Sequence, residues 1–251
     1  MEKVSLILTT YNSKDNLKKT LDSIEMQDYP NIEVVIKDGK STDGTVDVIK
    51  DYSKTSRFSV KWESKKDTGI YDAMNQGYEM STGDIVVFFN DIFTEDSVVA
   101  KMISKIREYD TNNIQKCVGV HADLVYVDGE RIVRKWHMGE GNIRQGWMPG
   151  HPTLFLKREI YEKYGLYNTA FKIASDYEFM IRFLKDKTNK LAYLPETIIA
   201  MFYGGTSSGG LKSYLISLKE GHIALKINDI EGVCFIDIMR TIRVLLQFVR
   251  S

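Results

Sequence analysis

At 251 residues, with 43% apolar and 27% charged side chains, the chain has the balance of a globular protein with a substantial core. Basic and acidic residues number 34 each, which excludes a global field drawing the chain to nucleic acid or acidic membranes. No run approaches the roughly eighteen apolar residues of a membrane span, and Cys117 and Cys234 lack metal-ligand spacing, so they read as two buried thiols in a reducing compartment.

The opening "MEKVSLILTTYN" holds too short an apolar run for a signal peptide and predicts a first strand, Val4 to Thr10. Leu17, Leu21 and Ile24 then mark one face of a helix, with Asn12 or Ser13 as its cap. "IEVVIKDG" predicts a second strand, followed by the turn "STDGT" and a short helix carrying Val48, Ile49 and Tyr52. "FSVKWES" reads as a third strand, "GIYDAMNQGYEM" as a helix and "DIVVFFN" as a fourth strand. Strands apolar on both faces and separated by helices predict a parallel sheet covered by helices.

The second half changes character. "CVGVHADLVYVDGERIVRKW" predicts two strands joined at Asp128-Gly129. "KREIYEKYG" and "SDYEFMIRFLKD" predict two helices, the latter capped by Ser175. "KLAYLPETIIAMFYGG" predicts short strands, "GGTSSGG" a loop, and the tail from Leu211 is helical. In the last helix Phe235, Ile238, Met239, Ile242, Leu245, Leu246 and Val249 form one stripe, with Arg240, Arg243, Gln247 and Arg250 on the other face. That pattern suits a helix docked on its own domain, on a second subunit or on a bilayer surface. No Pro/Gly/Ser-rich linker divides the chain, so both halves are expected to share one sheet.

In an open parallel sheet, ligands bind where strands end and their order reverses. After the first strand come Thr9, Thr10, Tyr11 and Asn12; after the second, Asp38 and Asp43; after the third, Asp67 and Gly69; after the fourth, Asn90 and Asp91. Four consecutive strands delivering polar groups to one edge point to a ligand site. Turn and cap formation alone explains Asn12 and Asp43. Neither usual glycine-rich phosphate cradle is present, and acids repel bare phosphate unless a divalent cation bridges them. Asp91 with diphosphate oxygens and water suits Mg²⁺ or Mn²⁺.

"SLILTTYNSKDNLKKTLDSIEMQDYPNIEVVIKDGKSTDGT", "DTGIYDAMNQGYEMSTGDIVVFFND" and "GHPTLFLKREIYEKYGLYNTAFKIASDYEFMIRF" together resemble the family 2 glycosyltransferases, in particular members that assemble bacterial polysaccharide. The resemblance covers Val4 to Ser208 and leaves the helical tail outside. It implies an α/β GT-A fold, with a Rossmann-like nucleotide-binding half (1–95) fused to a mixed-sheet acceptor half (96–210), followed by a C-terminal helical extension (211–251). It also implies transfer of a sugar, with inversion, from a nucleotide diphosphate sugar to a hydroxyl of a glycan or lipid-linked glycan acceptor. By position, Thr9, Tyr11 and Asn12 would surround the nucleotide, Asp38 would accept from the base, and Asp67 would lie near base or ribose. Gly69 and Ile70 would form the turn under the donor, and Asp72, Asn75 and Asn90 would approach it. Asp91 would bind the metal, and Asp176 would be the catalytic base. "FFNDIF" is shorter than the family's acidic element at this turn, so Asp91 aligns with its last acid and Asn90 with the asparagine before it.

The chemistry agrees with those roles. Inversion needs one direct displacement, a single carboxylate as base and stabilisation of the departing diphosphate. His151, Arg182 and the "GGTSSGG" loop with Thr206 and Ser207 are candidate diphosphate or acceptor contacts. Glu178 is the nearest rival to Asp176 but projects from a different side of the helix. A nucleotidyltransferase of similar sheet architecture, or a non-catalytic nucleotide-sugar-binding subunit, are the alternatives; "TTYNSKDN" lacks the glycine-rich loop that the first would carry. The resemblance places the protein in the cytoplasm or at the inner membrane face; the zero net charge points to no nucleic-acid partner, and the amphipathic pattern makes residues 229–251 a membrane or homodimer contact.

Overall fold

The computed structural model describes residues 1–129, 131–202 and 211–249. Strands β1 (Val4–Thr10), β2 (Ile32–Asp38), β3 (Ser59–Ser64) and β4 (Ile85–Phe88) pair in parallel in the order β3-β2-β1-β4. Their side chains alternate between two apolar layers. Val4, Leu6 and Leu8 of β1 meet α1 (Lys14–Glu25), α2 (Thr45–Thr55) and α4 (Val98–Asn112) through Leu17, Leu21, Ile24, Ile49 and Met102. Ile7, Val35, Val86 and Phe88 point the other way, towards α3 (Ile70–Met80), α5 (Arg158–Tyr164) and α6 (Ser175–Leu184). Such double-sided burial is why β1, β2 and β4 read as continuous apolar runs; β3, at the sheet edge, keeps Ser59 and Glu63 exposed and its other residues half-buried. Gly77 lets α3 lie close on the sheet, since a Cβ there would stand 2.5 Å from Ile7 Cγ2.

The remaining strands extend the same sheet. They are β5 (Ile92–Phe93), β6 (Gly119–Asp128), β7 (Arg131–Trp136), β8 (Phe155–Lys157) and β9 (Leu191–Phe202). β8 runs antiparallel to β4 and β6, whereas β9 is parallel to β6, giving one nine-stranded mixed sheet. The halves therefore share a sheet, as expected. The helical tail is an antiparallel pair, α7 (Leu211–Ile227) and α8 (Val233–Val249). It docks on α6 through Ala224, Leu225, Ile230 and Ile236 against Phe171, Tyr177 and Ile181.

Several local expectations change. "KLAYLPETIIAMF" is one strand, not several; Pro195 and Glu196 bulge out of the β6–β9 register because proline has no N–H for the ladder. α4 lies where no element was predicted, although its buried positions Val98, Val99, Met102, Ile103 and Ile106 keep helical spacing. Ser175 begins α6 and does not cap it; Ala174 is the cap residue, and the Ser175 hydroxyl is buried without a partner. Only Cys117 is buried, while Cys234 is exposed on α8. "GGTSSGG", Thr206, Ser207 and Arg250 lie outside the described residues.

Candidate active site

β1 has β2 on one side and β4 on the other, so the chain order reverses there and a crevice opens beyond the strand ends. A cavity of about 930 Å³ occupies it. Thr9, Thr10 and Tyr11 line it from β1, Asp67, Gly69 and Ile70 from the turn into α3, and Asn90 and Asp91 from the end of β4. His151 and Asp176 enter from the acceptor half. The ends of β1, β3 and β4 and the starts of α3 and α6 thus converge on a single space, while the residues after β2 stay out of it.

Asn90 is the clamp between β1 and β4. Its Oδ1 accepts from Thr9 N at 3.0 Å, and its Nδ2 donates to Thr9 Oγ1 at 3.1 Å. An asparagine can do both, whereas an ionised aspartate could only accept. Asp91 is 7% exposed and accepts from Phe202 N at 3.2 Å. Burial pushes its carboxyl up to about 7, with the Phe202 N–H opposing weakly. A buried acid so poorly compensated favours a cation beside it.

At the far wall, the Tyr71 hydroxyl stands 2.5 Å from the Ile173 carbonyl and 3.1 Å from Asp176 Oδ1, donating between them. Burial first, then the Asp176 charge, raises the Tyr71 phenol far above its ordinary value, so it stays protonated and donates. Asp176 sits in the first turn of α6, where the positive helix end favours a carboxylate. Glu178, the rival acid, is buried and held by Arg182 and Asn228, and does not line the cavity. His151 joins the wall by a 2.7 Å bond to the Tyr167 hydroxyl and a ring stack on Phe88; burial lowers its basicity. Gly69 has φ +142°, a conformation that side-chain-bearing residues rarely adopt, and its N–H donates to Asp67 Oδ1 at 3.0 Å.

Five expected residues are not brought to the cavity lining. Asp38 is fully buried and accepts from Ser41 N, Ser41 Oγ and Ser64 Oγ, which shape the turn after β2. Asn12, at φ +46°, pins the Thr42 N–H; Asp72 accepts from the Thr68 N–H and hydroxyl. Asn75 exchanges two bonds with the Tyr167 backbone, and Arg182 donates to Glu178 and to the Tyr164 and Leu166 carbonyls. These are framework contacts behind the wall.

Other cavity residues had no sequence signal. Trp136, His137 and Trp147 line it from β7 and the loop beyond, Arg240 and Arg243 from α8. His137 is 2.9 Å from Asp123 Oδ2 through Nδ1, and Asp123 also accepts from Met138 N and the Tyr193 hydroxyl. That buried acid fixes the ring of a largely exposed histidine. Only strand pairing brings Asp123 and His137 together.

As a metal centre, the donor set is small. Among the described residues no cluster of three or more His, Cys, Asp or Glu side chains could hold an ion. Asp91 fits as one carboxylate ligand, and an ion there would need non-protein oxygens to complete its shell.

A family model described as glycosyl transferase family 2 matches residues 5–175. A PGL/p-HBAD biosynthesis glycosyltransferase of Mycobacterium tuberculosis (strain H37Ra) is 28% identical over 214 residues, covering 81% of this chain and 78% of the relative. A Methanococcus voltae enzyme named dolichyl N-acetyl-alpha-D-glucosaminyl phosphate 3-beta-D-2,3-diacetamido-2,3-dideoxy-beta-D-glucuronosyltransferase is 28% identical over 232 residues, covering 82% and 68%. In structure, S. aureus TarS 1–349 in complex with UDP-GlcNAc superposes with a TM-score of 0.71 at 18% identity, covering 99% of this chain and 73% of that one. A longer TarS chain is spanned to 43% of its length. PcManGT of Pyrobaculum calidifontis, a mannosyltransferase in complex with GDP-Man and Mn²⁺, gives 0.65 at 17% identity, covering 100% and 76%. These structural likenesses establish the GT-A fold.

Proposed function

The chain belongs to glycosyl transferase family 2, and from that membership we propose that it moves a sugar, with inversion, from a nucleotide diphosphate sugar to a glycan or lipid-linked glycan hydroxyl in surface-polysaccharide synthesis. One observation carries the reading: Asp91, after β4, and Asp176, in the first turn of α6, line the same cavity as the polar ends of β1 and β3.

Thr9, Tyr11 and Asp67 receive the nucleotide, with the exposed Tyr11 ring as a stacking surface. Gly69 and Ile70 leave room for the donor at the start of α3. Asp91 would hold Mg²⁺ or Mn²⁺ in the donor complex, and a divalent ion bound there would supply charge neutralisation for the departing diphosphate. Asp176 accepts the proton of the acceptor hydroxyl as that oxygen attacks the anomeric carbon opposite the leaving group. A positioned carboxylate of this kind contributes about 10²–10⁴-fold. Tyr71 keeps Asp176 aimed by donating to it, and His151 stays neutral beside it. Residues 1–95 and 96–210 act as donor and acceptor halves of one unit, and 211–251 as an extension whose α7 and α8 contribute Ser217, Arg240 and Arg243 to the cavity wall. No helix among the described residues is long and apolar enough to cross a membrane. The Methanococcus relative's name includes a dolichyl phosphate acceptor, which supports a lipid-linked acceptor met at the inner membrane face.

The test is a binding and slow-hydrolysis panel of UDP-, GDP- and dTDP-sugars, with Mn²⁺ and with chelator. At least one donor should bind better with Mn²⁺. Asp176→Asn should keep donor binding and lose most transfer; full activity in that variant removes Asp176 as base. Failure of every donor to bind under any condition overturns the enzyme reading.

A further inference from the structure

α8 is turned inside out relative to an ordinary surface helix. Its polar positions face the protein. Arg240 lies 3.8 Å over the Tyr177 ring, Arg243 Nε donates to the Gln145 carbonyl at 3.1 Å, and Gln247 meets Arg134. Asp237 is 2.7 Å from His222 of α7. Ile236 packs inward with Tyr177 and Ile181, but the main apolar stripe faces outward: Phe235, Ile238, Ile242, Leu245 and Leu246 are 42–60% exposed. These positions recur at helical spacing on one face, and no charged side chain interrupts them. Leu215, Ile223 and Ile227 of α7 and Ile132 of β7 are also exposed.

A helix whose polar face is already bonded to its own domain gains nothing by rotating, so the stripe needs an external apolar phase. We infer that α8 seats the protein on a lipid surface, with its apolar face in the acyl boundary and the cavity mouth at the interface. Two observations favour lipid over a second copy of the chain. First, the stripe begins at the cavity rim: Val244 and Leu246 line the cavity that Arg240 and Arg243 also enter. A protein partner on this face would obstruct that mouth, whereas a bilayer would deliver a lipid-anchored acceptor to it. Second, the exposed Lys219 and Lys226 of α7, and Arg131 and Lys135 of the adjoining β7, flank the stripe and suit anionic headgroups. The acids Asp229 and Glu231 lie at the turn joining the helices, one end of the stripe, and Glu231 has Arg144 within 4.0 Å.

The role given to the surface, acceptor delivery, rests on the transferase reading; the surface itself does not. The experiment is flotation of the full chain with vesicles of phosphatidylglycerol and phosphatidylethanolamine, compared with Ile238→Glu/Ile242→Glu/Leu245→Glu. None of these three lines the cavity. The wild-type chain should float, and the triple variant should lose at least about tenfold in bound fraction. Both should melt alike and bind a nucleotide sugar alike. As a readout independent of the triple variant's folding, Ile238→Trp should shift its emission to the blue on vesicles. A wild-type chain that stays at the bottom overturns the inference. So does a folded triple variant that floats equally, a tryptophan that does not shift, or a wild-type dimer that the triple variant breaks without any flotation. Flotation without donor binding would keep the lipid surface and remove the transferase reading.

Discussion

Glu220 reaches from α7 to the loop that carries Asp176, and its removal tests how the tail serves the site. Its Oε1 accepts from Lys172 N at 2.9 Å, and its Oε2 from Ile173 N at 2.9 Å and Ala174 N at 3.0 Å. Ala174 caps α6, so the carboxylate also meets the positive end of that helix. A charge-assisted hydrogen bond contributes about 1.5–3 kcal/mol. The three bonds share one carboxylate and the loop is partly exposed, so Glu220→Ala is expected to cost about 2–4 kcal/mol, less than their sum. The effect should extend to catalysis, because Tyr71 ties the Ile173 carbonyl to Asp176. A shift of about 1 Å in a reacting group costs up to about 100-fold. Glu220→Ala should therefore lower kcat by about 10- to 100-fold with donor KM nearly unchanged, and Glu220→Gln should fall between. Steady-state release of the nucleoside diphosphate, together with urea unfolding, measures both. A Glu220→Ala protein with wild-type kcat and stability would refute the clamp.

The Asp91 carboxyl rises from 3.8 to about 7 on folding, so the native state binds the extra proton. In chelator, stability should decline as pH rises from about 4 to about 7, by up to about 4 kcal/mol, and then level off. Asp91→Asn should be the more stable protein at pH 8 in chelator by urea unfolding, while losing Mn²⁺-dependent donor affinity; equal stability contradicts the burial argument. Glu33 behaves oppositely: burial alone would raise it, but Lys3, Ser5 and Thr82 hold it down from 4.5 to about 2. Its contribution of about 3 kcal/mol is complete above about pH 4.5 and lost as pH falls towards 2, so Glu33→Gln should flatten the acid limb of the stability curve. Gly77→Ala forces a methyl to 2.5 Å from Ile7 Cγ2 in the packed α3–β1 contact. A loss of about 1–3 kcal/mol by thermal melting is expected; an unchanged melting temperature would mean the helix can shift freely.

Much of the donor half was legible because its signals are local. Leu17, Leu21 and Ile24 repeat at helical spacing and are all buried, and β1, β2 and β4 read as continuous apolar runs because both faces are covered. Asp67, Asn90 and Asp91 reach the cavity because a strand end positions whatever follows it. Asp38 ends a strand too, yet its oxygens are consumed by Ser41 and Ser64, one in the turn after it and one on the neighbouring strand β3. No pattern along the chain distinguishes a carboxylate that faces a ligand from one that builds a turn.

The order of apolar strands and helices, the polar strand ends and the amphipathic last helix were written in the sequence, since each depends on neighbours a few residues away. Tertiary structure decided which groups meet. Asp123 joins His137 across a strand pair, Glu220 reaches back to residues 172–174, and Tyr71 reaches Asp176 from another helix. It also decided which face of α8 turns inward. Helical periodicity fixes only that two faces exist. The inward choice fell to the polar one because Tyr177, the Gln145 carbonyl, Arg134 and His222 offer its side chains partners that the apolar stripe could not use.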